Sequence, residues 1–185
     1  MSRLIFSMAV SLDGYVAGPD GDPGWAAPNE ELHRFHNEQT RELGLHILGR
    51  RLYEVMAYWE TAEEQKPSAP EHELEFARIW KALPKIVFSK TLEKVEGNTR
   101  LSHGDPVEEV RQLKQGSGAD VAVGGAELAS TLTAHGLIDE YRLFATPVVI
   151  GAGKAFFAGD TRMDLELVET RTFGSGVVYL RYRRA

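Results

Sequence analysis

The order of its elements constrains the fold of this chain more than any single motif does. Segments with helical spacing separate four apolar segments that suit buried strands: Leu4–Leu12, Leu45–Leu48, Lys85–Ser89 and Val121–Val123. A strand, a helix and a further strand of the same sheet normally form a parallel crossover unit. The repetition therefore predicts parallel strands with helices packed on them.

The last third of the chain has a different pattern. Three extended segments follow one another there: Tyr141–Ile150, Leu165–Phe173 and Val177–Arg183. Gly174-Ser175-Gly176 joins the last two, which is typical of an antiparallel hairpin. We predict one domain over residues 1–185, with a three-layer α/β/α fold and a mixed, mostly parallel sheet that ends in a C-terminal antiparallel hairpin. A purely parallel doubly wound sheet is the alternative, and the hairpin argues against it.

Local signals place the helices. Asn29 can cap a helix over Glu30–Leu43, and Asp105, followed by proline, begins one that extends to about Gln115. Gly136 is a typical C-terminal stop, and Gly116-Ser117-Gly118 is another. Three further helices are predicted: one that begins at Arg50, one over Glu71–Ala82 and one over Glu127–His135. Thr61–Pro70 is expected to be a surface connection.

Net charge and the lack of cysteine limit the classes of function. The 185 residues carry a net charge of -6, which gives no reason to expect nucleic acid or a membrane surface as a partner. Without cysteine, the chain has no disulfide, thiolate metal site, iron–sulfur cluster or cysteine nucleophile. This usage, with no apolar run long enough to span a bilayer, predicts a cytoplasmic protein that acts on a small molecule.

Groups that suit a phosphate follow three of the predicted strands: Gly124-Gly125, Gly49-Arg50-Arg51 and Ser89-Lys90-Thr91. Glycine lets backbone amides approach a phosphate closely, and cationic side chains bind one. Each motif also has a plainer interpretation, as a tight turn, a solvated arginine pair or an ordinary turn. Because ligands gather at the carboxyl ends of strands in such sheets, the three together predict a site for a phosphate-bearing ligand.

Five separated blocks carry a family resemblance: Ser11–Ala17, Leu48–Glu54, Phe88–Lys90, Gly124-Gly125 and Thr146–Phe157. In content and order they resemble dihydrofolate-reductase-like proteins, and in particular the reductase domain of bacterial riboflavin biosynthesis, the RibD C-terminal domain. The resemblance implies a dihydrofolate-reductase-like fold, NADPH as the cofactor, and a loop, Asp13–Trp25, that closes over the nicotinamide.

The resemblance also implies which residues contact NADPH. Gly49, Arg50 and Arg51 are expected near its pyrophosphate or adenosine, Ser89 and Lys90 near its 2′-phosphate, and Gly124 to Glu127 near its pyrophosphate. The full predicted set is Ala9, Val16, Gly49, Arg50, Arg51, Ser89, Lys90, Gly124, Gly125, Ala126, Glu127 and Leu128.

A reduction by hydride also needs a proton. Glu31 is one helical turn from Phe35, which predicts a position on the core side, whereas Glu30 stacks over Arg34 on the solvent side. Alternatively, both glutamates only favour the helix N-terminus. The predicted catalytic residues are Glu31 and, in second place, Asp13, and the predicted substrate contacts are Trp25, Phe35 and Thr146.

Other polar and aromatic residues are given structural interpretations. His33 and His36 could share a metal ion, but no third ligand is in register, so we interpret them as a solvated pair and expect no metal. The side chains interpreted as core packing are Met8, Met56, Trp59 and Trp80.

These features and the resemblance predict an NADPH-dependent reductase that transfers hydride to a C=N or C=O group of a small heterocyclic or ribosyl-derived substrate. The resemblance implies 5-amino-6-(5-phosphoribosylamino)uracil, in riboflavin biosynthesis, as the substrate class. The alternatives are dihydrofolate reduction, for which Glu31 would have to meet the pterin as a buried carboxylate, and a protein that binds NADPH without catalysis. The extended C-terminal strands are compatible with a homodimer.

Overall fold

A computed structural model describes residues 2–116, 118–159 and 162–185. In these ranges the strands are β1 (Leu4–Ser11), β2 (Tyr15–Ala17), β3 (Leu45–Gly49), β4 (Lys85–Phe88), β5 (Thr99–Ser102), β6 (Val121–Gly124), β7 (Glu140–Thr146), β8 (Lys154–Ala155), β9 (Leu165–Thr172) and β10 (Val178–Arg184). The helices are α1 (Glu30–Arg41), α2 (Arg50–Met56), α3 (Ala62–Gln65), α4 (Glu71–Ala82), α5 (Pro106–Gln115) and α6 (Ala126–Ala134), and 3-10 turns cover Gly24–Ala26 and Ala57–Glu60.

One large sheet organises the molecule. Its strand order is β5-β4-β3-β6-β1-β7-β10-β9. The pairs from β5 to β7 are parallel, and β10 is antiparallel to both β7 and β9. The prediction of a mostly parallel sheet that ends in an antiparallel hairpin is therefore confirmed.

Helices cover both faces of the sheet. Ile47 of β3 packs in a core cluster with α5 and α6, whereas the next residue, Leu48, packs in a second cluster with α2 and α4. Both residues are 0% exposed, because successive side chains of a strand point to opposite faces and each face is covered. This arrangement confirms the predicted three layers.

The predicted end signals act as expected. The Asn29 side chain accepts from the Leu32 N–H at 3.0 Å, and the Asp105 side chain accepts from the Val107 N–H at 2.8 Å. Gly136 ends α6 with φ +66°, a conformation that other residues rarely adopt. Ser117, in the predicted stop after α5, lies outside the described residues.

Several elements differ from the prediction. The structure adds β5, an edge strand with the polar sequence Thr-Arg-Leu-Ser, and the short helix α3 within the predicted surface connection. The segment predicted to be extended over Tyr141–Ile150 ends at Thr146, because Pro147 has no N–H to donate to the sheet. α1 ends at Arg41 rather than at Leu43.

The loop after β1 is held by a two-stranded ribbon. β2 pairs with β8, and Asp13 accepts from the N–H of Gly151 at 2.7 Å and of Ile150 at 3.2 Å. The two segments are so close that a Cβ on Gly153 would stand 2.0 Å from the Ala17 carbonyl oxygen. The turn at residues 151–153 therefore fixes the loop after β1.

The longest helices, α1 and α4, have 12 residues each. Within the described ranges, no helix has the length and apolar character needed to cross a membrane.

Candidate active site

A cleft of about 820 Å³ lies where the strands β3, β4 and β6 end. Such a volume is in the range of cofactor sites. Its wall includes ten of the twelve residues predicted to contact the cofactor: Val16, Gly49, Arg50, Arg51, Ser89, Lys90, Gly125, Ala126, Glu127 and Leu128. The three motifs that follow different strands are thus brought to one place.

The N-terminus of α6 is the backbone part of this cleft. Gly125 precedes the helix with φ +102° and provides no side-chain cap for the first N–H groups. A Cβ at this position would stand 3.6 Å from the Gly49 nitrogen, so the starts of α6 and α2 are neighbours. Uncapped N–H groups at a helix start suit an anion, although the φ value alone already requires glycine here.

Four cations line the same cleft: Arg50, Arg51, Lys90 and Lys154. One carboxylate oxygen, Oε1 of Glu127, lies 3.1 Å from Arg51 Nη1 and 3.4 Å from Lys154 Nζ. All three side chains are accessible to solvent, so these ion pairs are weak and a phosphate could replace the carboxylate.

A second, smaller cavity of about 320 Å³ lies between the sheet and the helices α1 and α2. Apolar groups form most of its wall: Ile5, Met8, Ala9, Pro28, Leu43, Leu52, Met56, Trp59, Phe76, Ala122, Val123 and Gly124. The polar members are Ser7, His33, His36, Gln39, Thr40, His46 and Arg142. Met8 and Leu52 also line the larger cleft, so the two cavities adjoin.

The histidines of this cavity are not solvated. His33 is 8% exposed and its Nδ1 donates to Asn37 Oδ1 at 3.2 Å, while the ring of His36 packs 4.3 Å from that of Phe144. Burial lowers the pKa of His33, and it lowers the pKa of His36 and His46 to about 4. The interpretation of His33 and His36 as a solvated pair is therefore wrong. Among the described residues, no three acidic or histidine side chains form a metal-binding group.

Arg142 belongs to a buried cluster around one carboxylate. Glu140, 2% exposed, accepts from Arg142 Nε at 2.6 Å, from Arg181 Nη2 at 2.9 Å and from Arg3 Nη1 at 3.2 Å. Arg142 is opposite Ser7 in the parallel pair β1–β7, which places both residues in one row of the sheet below the cavity. Glu140 thus balances the positive charge of Arg142 in the cavity wall.

The structure does not bring the predicted catalytic residues to either cavity. Glu31 is exposed, and its Oε2 accepts from the Gly174 N–H at 2.9 Å while Oε1 lies 3.7 Å from Arg171. The predicted core-side position of Glu31 is therefore wrong. Asp13 holds the β1 loop, and its hydrogen bond with Ser11, more than those with Gly151 and Ile150, lowers its pKa. An ionised carboxylate cannot donate a proton.

The predicted substrate contacts also lie outside both walls. Trp25 is half-buried in the 3-10 turn before α1, and Phe35 packs against Phe144, Phe173 and Tyr179. Thr146 ends β7. Two of the twelve predicted cofactor contacts, Ala9 and Gly124, line the smaller cavity instead of the cleft.

Comparisons with known proteins identify the family of this chain. The family model of the RibD C-terminal domain matches residues 2–179. The chain belongs to the RibD C-terminal domain family. It is 32% identical to the uncharacterized protein YyaP of Bacillus subtilis strain 168, over 97% of this chain and 94% of that protein.

Solved structures share the fold of this RibD C-terminal domain family member. A protein of Shewanella sp. PV-4, provisionally assigned to riboflavin biosynthesis, has a TM-score of 0.75 at 20% identity, with coverage of 100% and 99%. The deaminase/5-amino-6-(5-phosphoribosylamino)uracil reductase of Thermotoga maritima has a TM-score of 0.69 at 17% identity, and this chain covers 57% of it. Dihydrofolate reductase of Enterococcus faecalis has a TM-score of 0.62 at 15% identity, with coverage of 98% and 96%, which confirms the predicted dihydrofolate-reductase-like fold.

Two polar groups of the smaller cavity, His46 and Arg142, were not predicted from the sequence. His46 is enclosed by Leu45 and Ile47, and Arg142 stands in the strand Tyr-Arg-Leu-Phe. A charged or imidazole side chain inside an otherwise apolar strand was the available signal, because such a group must find a partner or a cavity. Met8, Met56 and Trp59, interpreted as packing, also line this cavity, whereas Trp80 is 1% exposed core.

The two strongly shifted histidines predict a loss of stability in acid. Because the pKa values of His36 and His46 are about 4 in the folded chain and about 6.5 when unfolded, the unfolded chain binds more protons between these values. Stability is then complete above pH 6.5 and falls as the pH drops, by about 1 to 2 kcal/mol per histidine between pH 7 and pH 5. Urea unfolding at pH 7 and pH 5 should show that His46→Gln loses less stability in acid than the parent does. The exposed control His135→Gln should lose as much as the parent. Equal losses in all three would contradict the placement of His46.

Proposed function

We propose that this chain is an NADPH-dependent reductase that acts on a C=N or C=O group of a small heterocyclic substrate. The observation that carries the proposal is the contact between its two cavities. A large cationic cleft and a smaller apolar cavity share Met8 and Leu52, so a cofactor in the first would have its reactive end beside a ligand in the second.

The residues of the cleft fit a dinucleotide phosphate. Arg50, Arg51 and Lys90 can bind phosphate groups, and the uncapped start of α6 at Gly125 offers further N–H donors. Ser89 Oγ accepts from the backbone N–H groups of Thr91 at 3.2 Å and Leu92 at 3.1 Å, which orders this turn beside Lys90. When bound, NADPH would supply the hydride.

The smaller cavity is proposed to hold and orient the substrate while its apolar wall limits access of water. No carboxylate belongs to the described part of this wall. Its neutral histidines, with pKa values of about 4 for His36 and His46, can orient a substrate by hydrogen bonds but carry almost no transferable proton at pH 7. We therefore propose that the proton comes from water.

The same observation disfavours dihydrofolate reduction. That alternative requires Glu31 beside the pterin, and Glu31 is instead bound to the Gly174 N–H at the C-terminal hairpin. The family relationship favours a reductase of the riboflavin-pathway type, as the name of the Thermotoga maritima protein indicates for that protein.

Cofactor titration tests the proposal. A charge-assisted contact with the 2′-phosphate is worth about 1.5 to 3 kcal/mol, so NADPH should bind about ten- to a hundred-fold more tightly than NADH. Lys90→Ala and Arg50→Ala should each weaken NADPH binding, and Lys90→Ala should reduce the difference between the cofactors. Arg111→Ala, an exposed cation of α5, is the matched control and should change neither affinity.

Equal affinities of the parent for NADPH and NADH would contradict the proposed placement of the 2′-phosphate. Absence of binding to both cofactors would contradict the reductase itself.

A further inference from the structure

We infer that the substrate of the smaller cavity is a compact, uncharged ring compound that carries a carbonyl-type hydrogen-bond acceptor and no phosphate. The inference rests on the proposed reductase function and names the substrate class of the same site. It departs from the phosphoribosyl compound in the name of the Thermotoga maritima relative.

The two adjoining cavities differ in charge. The larger cleft has four lining cations and two lining carboxylates, Asp20 and Glu127, and the excess of cations suits the phosphates of a dinucleotide. In the described wall of the smaller cavity, Arg142 is the one lysine or arginine, and its charge is balanced by Glu140 at 2.6 Å. The cations that could bind the phosphate of a substrate are therefore mostly in the larger cleft and not in the smaller cavity.

The cations of α1, which covers the cavity, do not replace them. Neither Arg34, 2.8 Å from Glu30, nor Arg41, 2.6 Å from Glu75, belongs to the described wall. Arg142, whose charge Glu140 already balances, is the one cation of the described wall, so an enclosed phosphate would lose its hydration without enough opposite charge to replace it. The wall thus selects against an anion.

Hydrogen-bonding groups of the wall suit a neutral acceptor. Arg142 uses Nε for Glu140, and among the described residues its Nη1 and Nη2 have no acceptor. The ring of His46 also lines the cavity, but its Nδ1 is buried away from solvent and is not available to a ligand. The free Nη1 and Nη2 groups of Arg142 can donate to a substrate carbonyl or ring nitrogen without the substrate carrying charge.

Size and shape limit the substrate further. A volume of about 320 Å³ is at the lower end of the range for small-molecule sites. The apolar side chains Leu52, Met56 and Trp59 form one side of this space, and Ile5 and Ala122 belong to the sheet below it. A flat one- or two-ring compound fits such a space better than a ring with an extended sugar phosphate.

Matched pairs of probes test the inference on protein saturated with NADP⁺. The pairs are isatin with isatin-5-sulfonate, and 4-methoxybenzaldehyde with 4-formylphenyl phosphate, and binding is measured by calorimetry. We expect each neutral member to bind at least ten-fold more tightly than its anionic partner. The variant Thr40→Lys places a cation in the wall and should move the preference at least ten-fold toward the anions.

The outcomes separate this inference from the proposed function. If NADPH does not bind in a separate titration, the proposed function fails. If NADPH binds but the anionic members bind equally well or more tightly, or no probe binds up to its solubility limit, the inference on substrate class is overturned. If Thr40→Lys does not fold, Met56→Lys, at a partly exposed position of the same wall, provides the same test.

Discussion

Replacement of Glu140 by glutamine is expected to lower the free energy of unfolding by about 3 to 5 kcal/mol, the usual cost of breaking a buried ion pair by removing one partner. Glu140 is 2% exposed and is within 3.2 Å of Arg3, Arg142 and Arg181. Arg3 and Arg181 have further partners in Asp120 and Glu169, but Arg142 would keep its charge in the interior without a carboxylate. Urea unfolding at pH 7.5 measures the effect.

Glu166→Gln is the matched control for this result. Glu166 also pairs with an arginine, Arg183, at 2.6 Å, but both side chains are exposed. Its loss should cost at most about 1 kcal/mol, because exposed pairs contribute little. If the two variants lose similar stability, the cluster around Glu140 does not act as a buried charge centre.

Replacement of Gly153 by alanine should have the second large effect, on the ribbon of β2 and β8. The added Cβ would stand 2.0 Å from the Ala17 carbonyl oxygen, and Gly153 has φ +151°. The atoms that the Cβ would meet belong to the backbone, so they cannot move aside as a flexible side chain can. We expect a loss of roughly 2 to 6 kcal/mol from the clash and the backbone strain together. NADPH affinity should fall as well, since Val16, Ala17 and Lys154 of the ribbon line the cleft proposed to hold the cofactor.

Gly151→Ala in the same turn is the control for Gly153→Ala. Gly151 has φ +77°, but a Cβ there meets no atom within 4 Å, so only the conformational strain remains. We expect a loss of about 1 kcal/mol, with NADPH affinity little changed. Equal effects of the two substitutions would show that the close approach of the backbones is not what makes Gly153 necessary.

The main elements could be predicted because their signals are local. The buried strands β1, β3, β4 and β6 have apolar runs that only a two-sided environment explains, and the Asn29 and Asp105 caps define helix starts. β5 could not be found in the same way, because an edge strand can be polar on its exposed side. β2 and β8 have three and two residues, and only their mutual contact makes them strands.

The candidate site was predictable to the extent that it consists of backbone turns. Gly49 ends β3 and Gly125 directly follows β6, so the pairing of these two strands brings the glycines together. The position of Glu31 depends on the rotation of α1 over the sheet and on the hairpin at Gly174, which helical spacing does not determine. The same rotation points His36 toward the sheet.

The two cavities share few of their wall residues, and this has an evolutionary consequence. Among the described wall residues, Met8 and Leu52 are the shared ones, so most positions touch either the cleft or the cavity. Mutations at Gln39, Thr40 or Met56 would then change which compound the proposed substrate cavity accepts and leave the proposed cofactor cleft intact. We expect relatives of this chain to differ mainly along α1 and at the end of α2, and to have diverged in substrate range while each intermediate kept the proposed cofactor site.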